Sequence, residues 1–271
     1  MIYNRTMKSM PQLPLVSIIT PSYNQGRFLR ETIQSVLSQD YPNLEYIIVD
    51  GGSTDDSIEI IQQYASQVAW WVSERDKGHA DALNKGFAHA TGEILAWLNS
   101  DDTYQPGAIR EAVEFMLAHP DVSLVYGDAN LIDEHGNYLG RFPAKQTDYS
   151  RMLNGSVNIP QATTFFNAHL WKQVGPLDLT LKYAFDYDLW VRLAKIAPIV
   201  YVPRQWANFR LHEAGKTVYL DDRCYPDMIR VSRREGGGRF SWLVIRWLLR
   251  RLTYAWLPLR LRVRLRQIIN V

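Results

Sequence analysis

Four short apolar runs in the first hundred residues, each separated from the next by an amphipathic or polar stretch, constrain this chain more than any other feature. They are Leu15–Thr20, Leu44–Asp50, Ala69–Ser73 and Glu93–Leu98. Runs of this length between turn residues read as buried strands. Phe28–Leu37 and Ala80–Ala90 place apolar residues at helical spacing. A third helix is expected after Gly51-Gly52, with Ser53 or Thr54 as its cap and Asp55 and Asp56 in its first turn, where the helix dipole favours anions. The resulting β-α-β-α-β-α-β order predicts a mostly parallel sheet with helices on both faces. Ligands of such sheets bind beyond the carboxyl ends of the strands. The residues found there are Pro21 to Asn24, Asp50, and Asn99-Ser100-Asp101-Asp102.

From about residue 120 the pattern changes. Val122–Tyr126 reads as a strand and Asn130–Arg141 as a hairpin turning at Glu134–Asn137. Gln161–Phe166 is expected to be extended and Asp186–Ile196 helical. A strand near Ile199–Val202 should lead into a polar loop through His212. Gly236-Gly237-Gly238 marks a hinge. These breaks predict one domain over 1–235, with a ligand-binding half at about 15–110 and a second half at about 111–235, followed by a tail over 236–271.

The net charge of +2 conceals an asymmetry. Residues 1–238 carry 28 acidic and 22 basic residues, whereas from Arg239 onward there are eight arginines and no acid. Trp242, Trp247 and Trp256 stand among those arginines with many leucines. Apolar and cationic faces on one Trp-rich helix suit a membrane surface, and each basic residue near an anionic leaflet is worth about 1 kcal/mol. The basic amphipathic tail over 239–266 is therefore expected to lie on a membrane. The alternative is a helix packed on the body or on a second subunit, as in a homodimer. Nucleic acid is not an expected partner, because the arginines alternate with bulky apolar residues. No long apolar span and no signal-peptide pattern are visible, and a single cysteine fits a reducing compartment. The expected location is cytoplasmic, peripheral on the inner face of the cell membrane.

Common catalytic signatures are missing. The sequence holds no G-x-x-x-x-G-K-[ST] loop, no G-x-G-x-x-G fingerprint, no H-E-x-x-H helix and no G-x-S-x-G elbow. Carboxylates at strand ends remain. Asp101-Asp102 suits Mg²⁺ or Mn²⁺, which is commonly held by one or two carboxylates together with substrate phosphates. The same pair is equally well read as an acid pair ahead of a helix. Asp50 followed by two glycines is open to a plain turn reading, and Asp186-Tyr187-Asp188 to that of an acidic first helical turn.

The ordered segments carry more than their parts. VSIITPSYNQGRFLRETIQSVLSQDYPNLEYIIVDGGSTDDS (Val16–Ser57) closely resembles the start of family 2 glycosyltransferases. SERDKGHADALNKGFAHATGEILAWLNSDD (Ser73–Asp102) continues the resemblance. FDYDLWVRLA (Phe185–Ala194) is similar to the family's acceptor-side motif and NFRLHEAGKT to its closing His motif, so the likeness spans about residues 15–217. It implies a GT-A fold, a nucleotide-diphosphate-sugar donor (UDP by family habit), a divalent cation, Mn²⁺ or Mg²⁺, and inversion at the sugar carbon. By position it implies Pro21, Tyr23 and Asp50 around the base and ribose, with Lys77, Gly78 and Asp81 closing that pocket. It also implies Asp102 on the metal, Asp101 on the ribose or supporting the metal through water, and His212 reaching the metal or the diphosphate. Asp186 is the expected base, with Asp188 as its alternative.

Two departures matter. Phe185 stands where the family often carries the first acid of a pair, and Asn99 where many relatives carry the first Asp of a D-x-D. These departures sustain an alternative function, a catalytically silent nucleotide-sugar-binding or scaffold subunit of a membrane glycan assembly. The intact Asp101, Asp102, Asp186 and Asp188 favour a metal-dependent hexosyltransferase-type enzyme. Its acceptor would be a glycan or a lipid-linked glycan in polysaccharide or glycolipid biosynthesis.

Overall fold

The computed structural model describes residues 13–142, 144–155, 157–213, 215 and 221–254. Strand β1 (Val16–Ser22), helix α1 (Gly26–Leu37), β2 (Leu44–Asp50), α2 (Ser57–Gln63), β3 (Trp70–Ser73), α3 (His79–His89) and β4 (Ile94–Trp97) follow in the expected order. Then come β5 (Thr103–Tyr104), α4 (Ala108–Ala118), β6 (Leu124–Ile132), β7 (Tyr138–Phe142), α5 (Tyr149–Leu153), β8 (Phe165–Asn167) and α6 (Ala168–Val174). The described chain ends with α7 (Phe185–Ile196), β9 (Ile199–Arg210), α8 (Asp221–Arg234) and α9 (Trp242–Tyr254).

One sheet runs β3-β2-β1-β4-β8-β6-β9-β5, with β7 on β6. β3, β2, β1 and β4 are mutually parallel, β8 is antiparallel to both of its neighbours, and β9 returns parallel to β6. The chain moves outward from β1 through β2 to β3, then crosses to β4 on the other side of β1. The strand order thus reverses between β1 and β4, the switch point at whose carboxyl ends sheets of this kind form their ligand crevice.

Side-chain alternation fixes what lies on each face. Ile19, Ile47, Val49, Leu95 and Trp97 point to a core shared with α3, α5, α6 and α7. Their neighbours Ile18, Ile48, Ile94, Ala96 and Leu98 point to the opposite core under α1 and α4. Both faces are covered, which is why β1 is buried along its whole length and reads as a continuous apolar run. Gly86 lets α3 approach the sheet closely: a Cβ there would sit 2.5 Å from the Ile19 side chain.

Three expectations are corrected. α2 begins at Ser57 with Asp56 as its N-cap residue, so Ser53 and Thr54 lie in the preceding loop. Their polar groups serve the neighbouring loops instead: the Ser53 hydroxyl donates to Asp50 Oδ1 and Asn24 Oδ1 accepts from the Thr54 amide at 2.8 Å. Gln161–Thr163 forms a 3-10 turn ahead of β8 instead of extended chain. The loop expected after Val202 is strand to Arg210, pairing with β6 on one side and β5 on the other. Pro203 is tolerated there because the β6–β9 register shifts on both sides of Asp128, and a bulge of this kind relieves the missing donor.

Candidate active site

The first loop of the crevice is held by polar cross-links. Asn24 takes a left-handed backbone (φ 51°), its amide donates to Ser53 Oγ at 2.8 Å, and its side chain receives Thr54. Asp50 at the end of β2 is fully buried. Its Oδ2 accepts from the Gly52 and Ser53 amides and from the Ser73 hydroxyl at 3.0, 2.9 and 2.7 Å. Asp50 therefore fastens the β2 and β3 loops together and presents no free oxygen to a ligand. Tyr23, by contrast, is 61% exposed at the rim, and Pro21 is buried within β1.

Gly51 is required by its surroundings. A Cβ there would stand 2.6 Å from Asp76 Oδ2 and 3.3 Å from the Tyr23 ring. The D-K-G turn is shaped by its two acids: Gly78 N–H donates to Asp76 Oδ1 at 2.7 Å and Lys77 N–H to Asp81 Oδ2 at 3.0 Å. Gly78 has φ 114°, a backbone that side chains rarely adopt. Lys77 and Gly78 are exposed beside this crevice, and Asp81 acts on the turn's backbone.

The two acids after β4 differ sharply. Asp102 is buried (1% exposed), and its Oδ1 accepts from the Arg210 amide at 3.0 Å while Oδ2 faces Asn99 Nδ2 at 3.4 Å. Burial, then the adjacent Asp101 charge, raises the Asp102 carboxyl well above the ordinary carboxylate range. The Asp101 side chain retains 21% exposure, and its Oδ2 lies 3.0 Å from His212 Nε2. Of the pair, Asp101 has the open side, and Asp102 is enclosed by the loop. Asn99 is oriented by Gln161, which accepts from its Nδ2 at 3.0 Å and donates to the Trp97 carbonyl at 2.8 Å.

Arg210 ties this cluster together and was not legible as a site residue. Its guanidinium, almost entirely buried, donates to the Asp101 carbonyl at 2.9 Å, to the Asp133 carbonyl at the β6–β7 turn, and to Glu31 of α1. It also lies over the Phe28 ring at 4.9 Å, and the same ring packs against His212 at 4.7 Å. Its position two residues before His212 was the available signal. Nothing in the sequence says that the arginine is buried.

On the second half, Asp186 opens α7. It is partly buried, accepts from the Tyr187 amide at 2.7 Å, and burial pushes its carboxyl up to about 6. Phe185 meets His79 edge-on at 5.1 Å, which sets the start of α7 beside the D-K-G turn. Asp188 lies elsewhere. It is fully buried, with Oδ2 paired to Arg192 at 2.8 Å and Oδ1 to Arg234, so neither oxygen is open to a substrate hydroxyl. Asp188 neutralises two arginines that hold α7 in place, and it is corrected here from candidate base to structural anchor.

Among the described residues no group of three or more His, Cys, Asp or Glu is arranged to hold a metal. The Asp101–His212 pair is a smaller donor set. Octahedral ligands about 2.1 Å from a Mg²⁺-like ion are about 3.0 Å apart when adjacent, which is the separation observed here between Oδ2 and Nε2. Such ions usually take only one or two protein ligands and fill the rest with phosphate and water.

Comparison with known proteins agrees with this architecture. The model of the family described as Glycosyl transferase family 2 matches residues 17–172. An uncharacterized glycosyltransferase of Mycobacterium tuberculosis is 32% identical over 238 residues, which is 85% of this chain and 89% of that protein. One from Rickettsia typhi is 33% identical over 219 residues, covering 78% and 68% respectively. Staphylococcus aureus TarS 1–349, solved with UDP-GlcNAc, superposes with a TM-score of 0.68 at 18% identity, over 89% of this chain and 73% of that one. The mannosyltransferase PcManGT of Pyrobaculum calidifontis, solved with GDP-Man and Mn²⁺, gives 0.66 at 21% identity, over 88% and 70%. The sheet order, the crevice between β1 and β4, the family match over more than half of the sequence and these relatives lead to one assignment: the chain belongs to glycosyl transferase family 2.

Proposed function

We propose that this glycosyltransferase moves a sugar from a nucleotide-diphosphate sugar to an acceptor hydroxyl with inversion at the sugar carbon. The observation that carries the reading is the Asp101–His212 pair at the sheet's switch point, held in place by Arg210. A divalent cation held by Asp101 and His212 would supply Lewis-acid stabilisation of the charge on the departing diphosphate. Asp102, enclosed and bonded to the Arg210 amide, keeps the loop in shape for Asp101. Tyr23 offers a face for the base, Asp50 rigidifies the ribose side of the pocket, and Lys77, Gly78 and Asp81 form its far wall.

Asp186 acts as the base. It accepts the proton from the acceptor hydroxyl as that oxygen forms its bond to the sugar carbon and the bond to the diphosphate breaks. With its carboxyl pushed up to about 6, Asp186 is mostly ionised near neutral pH yet holds a proton more tightly than an ordinary carboxylate, which suits a base there. The route needs no carboxylate nucleophile, unlike a retaining glycosidase. Intact Asp101, His212 and Asp186 favour this over the silent scaffold.

The donor is inferred to be a UDP-sugar, in line with UDP-GlcNAc in TarS, with GDP-sugars (as in PcManGT) and dTDP-sugars as its competitors. The test is a thermal-shift panel of UDP, GDP, dTDP and their sugars, each with Mn²⁺ and with EDTA. One nucleotide series should raise the Tm in Mn²⁺ alone, since a ligand at 100 times its Kd stabilises by about 2.7 kcal/mol. No shift with any of them would leave the scaffold reading in its place.

The acceptor is inferred to be a glycan or lipid-linked glycan at a membrane surface. A chondroitin synthase of Escherichia coli is 29% identical over 78% of this chain and 31% of that protein. α9 gives the surface its structural support. Leu243 and Val244 pack on Tyr225 and Ile229 of α8, while Trp242, Ile245, Leu248 and Leu249 remain exposed, Trp242 by 55%. Arg246 and Arg251 stand on the same helix with no acid among them. The arginines at 260–266 lie outside the described residues. No described helix is long and apolar enough to cross a membrane, so the inferred contact is peripheral. Vesicles containing anionic phosphatidylglycerol should sediment the protein, phosphatidylcholine vesicles should not, and Trp242→Ala with Leu248→Ala should weaken binding at least tenfold. A concentration-dependent dimer in place of vesicle binding would assign the face to a second copy.

A further inference from the structure

The loop between α6 and α7, residues 175–184, has no regular structure of its own, yet it delivers Asp186 to the site. Its two ends are gripped from different parts of the molecule. At the start, Asn84 of α3 makes both amide bonds with Leu177: Oδ1 accepts the Leu177 N–H and Nδ2 donates to its carbonyl, each at 2.9 Å. At the end, Asp227 of α8 accepts the Lys182 and Tyr183 N–H groups on one carboxylate oxygen at 3.0 and 3.1 Å. One turn further along α8, Arg230 donates to the Thr180 carbonyl at 2.9 Å. A turn beyond that, Arg234 pairs with Asp188 inside α7.

α8 thus presents Asp227, Arg230 and Arg234 along one stripe, at i, i+3 and i+7, and every one of them engages the loop or the helix that follows it. The stripe is itself anchored. Val231 is buried in the core shared with α7, the Ser232 hydroxyl donates to the Leu153 carbonyl at 2.8 Å, and Lys195 at the end of α7 pairs with Glu235 at 2.8 Å. Lys182 and Tyr183 immediately precede the N-cap of α7 at Ala184, so the two amides held by Asp227 set the angle at which the chain enters that helix.

We infer that α8 is a clamp for the loop that carries Asp186, and that Asp227 is a positioning residue for sugar transfer. The inference rests on Asp186 as the base. It lies outside the stretch matched by the family model, which ends at residue 172. A displacement of about 1 Å in a reacting group can cost roughly 100-fold in rate, so a grip on two amides three and four residues before the base is enough to matter.

The test compares the full chain with Asp227→Ala, Asp227→Asn and Asp186→Asn. Hydrogen exchange is followed over 176–188, and nucleoside diphosphate release is followed from UDP-GlcNAc and GDP-mannose in Mn²⁺. Asp227→Ala should speed exchange at 182 and 183 at least tenfold while β1 and β2 stay protected. It should lower kcat roughly 10- to 100-fold at an unchanged donor KM. Asp227→Asn keeps an oxygen that can accept both amides and should recover most of the loss. Unchanged exchange at 182–183, a donor KM that rises with the fall in kcat, or an Asn variant no better than Ala would each overturn the clamp. Asp186→Asn separates the two readings, since it should lower release by at least about 100-fold with normal exchange. If it releases diphosphate like the unaltered protein, Asp186 is not the base, and the exchange result alone then decides whether α8 grips the loop.

Discussion

Asp186→Asn is expected to lower kcat by about 10²- to 10⁴-fold, the range for loss of a positioned general base, while nucleotide binding followed by thermal shift stays intact. An asparagine fills the same space and still accepts the Tyr187 amide, so the change removes proton affinity without opening a cavity. In the unaltered protein, turnover should fall as pH drops through about 6, because the protonated carboxyl cannot take the acceptor's proton. The same group also sets a stability trend. Its ordinary value is 3.8 and its folded value about 6, so the folded state binds this proton more tightly than the unfolded chain does. The stabilisation is therefore fully present below about pH 4 and is lost as pH rises through about 6. At pH 7.5 the charged form weighs against the fold, and Asp186→Asn should raise stability by about 1–3 kcal/mol, at 1.36 kcal/mol per pK unit. Higher stability with abolished turnover is the combined signature. A variant that is dead and also less stable would place Asp186 in a structural role, and one that retains turnover would remove it from the chemistry.

The parallel half of the fold was readable because β1, β4 and most of β2 are buried on both faces and bounded by turn residues. Leu44–Asp50 is one element in both readings, since an apolar run that long has few other places to go. For β9 the sequence supports a strand only near Ile199–Val202, because the stretch that follows, through His212, is polar. The strand continues because β6 absorbs the irregularity at Pro203 with its own register shifts, a property of the partner and not of residues 199–210. The site shows the same division. Asp101, Asp102, Asp186 and His212 are candidates that the resemblance offers by position along the chain. Which of Asp101 and Asp102 faces outward could not be found that way, because adjacent residues compete for one opening and the winner depends on the Arg210 amide arriving from a strand 108 residues away. Asp188 stands in the sequence as the alternative to Asp186, and what sets it aside is that Arg192 and Arg234 occupy both of its oxygens. Arg192 is visible at helical spacing from Asp188, but Arg234 comes from α8, beyond the reach of any local pattern.

The contrast between Asp101 and Asp102 yields a prediction that separates binding from architecture. Asp101→Ala takes away one member of the proposed cation pair, 3.0 Å from His212 and partly exposed, and leaves the Arg210 bond to the residue 101 carbonyl untouched. It should abolish the Mn²⁺-dependent part of the nucleotide thermal shift and lower turnover by at least about 100-fold. That loss corresponds to about 2.7 kcal/mol of transition-state stabilisation, at 1.36 kcal/mol per tenfold. The Tm without ligand should fall only modestly, since the side chain is partly exposed and water entering from that open side can replace it as the partner of the buried His212 ring. Asp102→Ala should behave in the opposite way. It leaves the buried Arg210 amide without its acceptor, at a cost of about 1–3 kcal/mol, and lowers the Tm before any ligand is added. Asp102→Asn supplies an acceptor oxygen of the same size and should recover that stability. If Asp102 were the cation ligand itself, the Asn variant would lose the Mn²⁺-dependent shift while keeping its Tm, and Asp101→Ala would keep the shift. The ligand-free Tm and the Mn²⁺-dependent shift, read together on three variants, therefore determine which acid faces the donor and which one holds the loop.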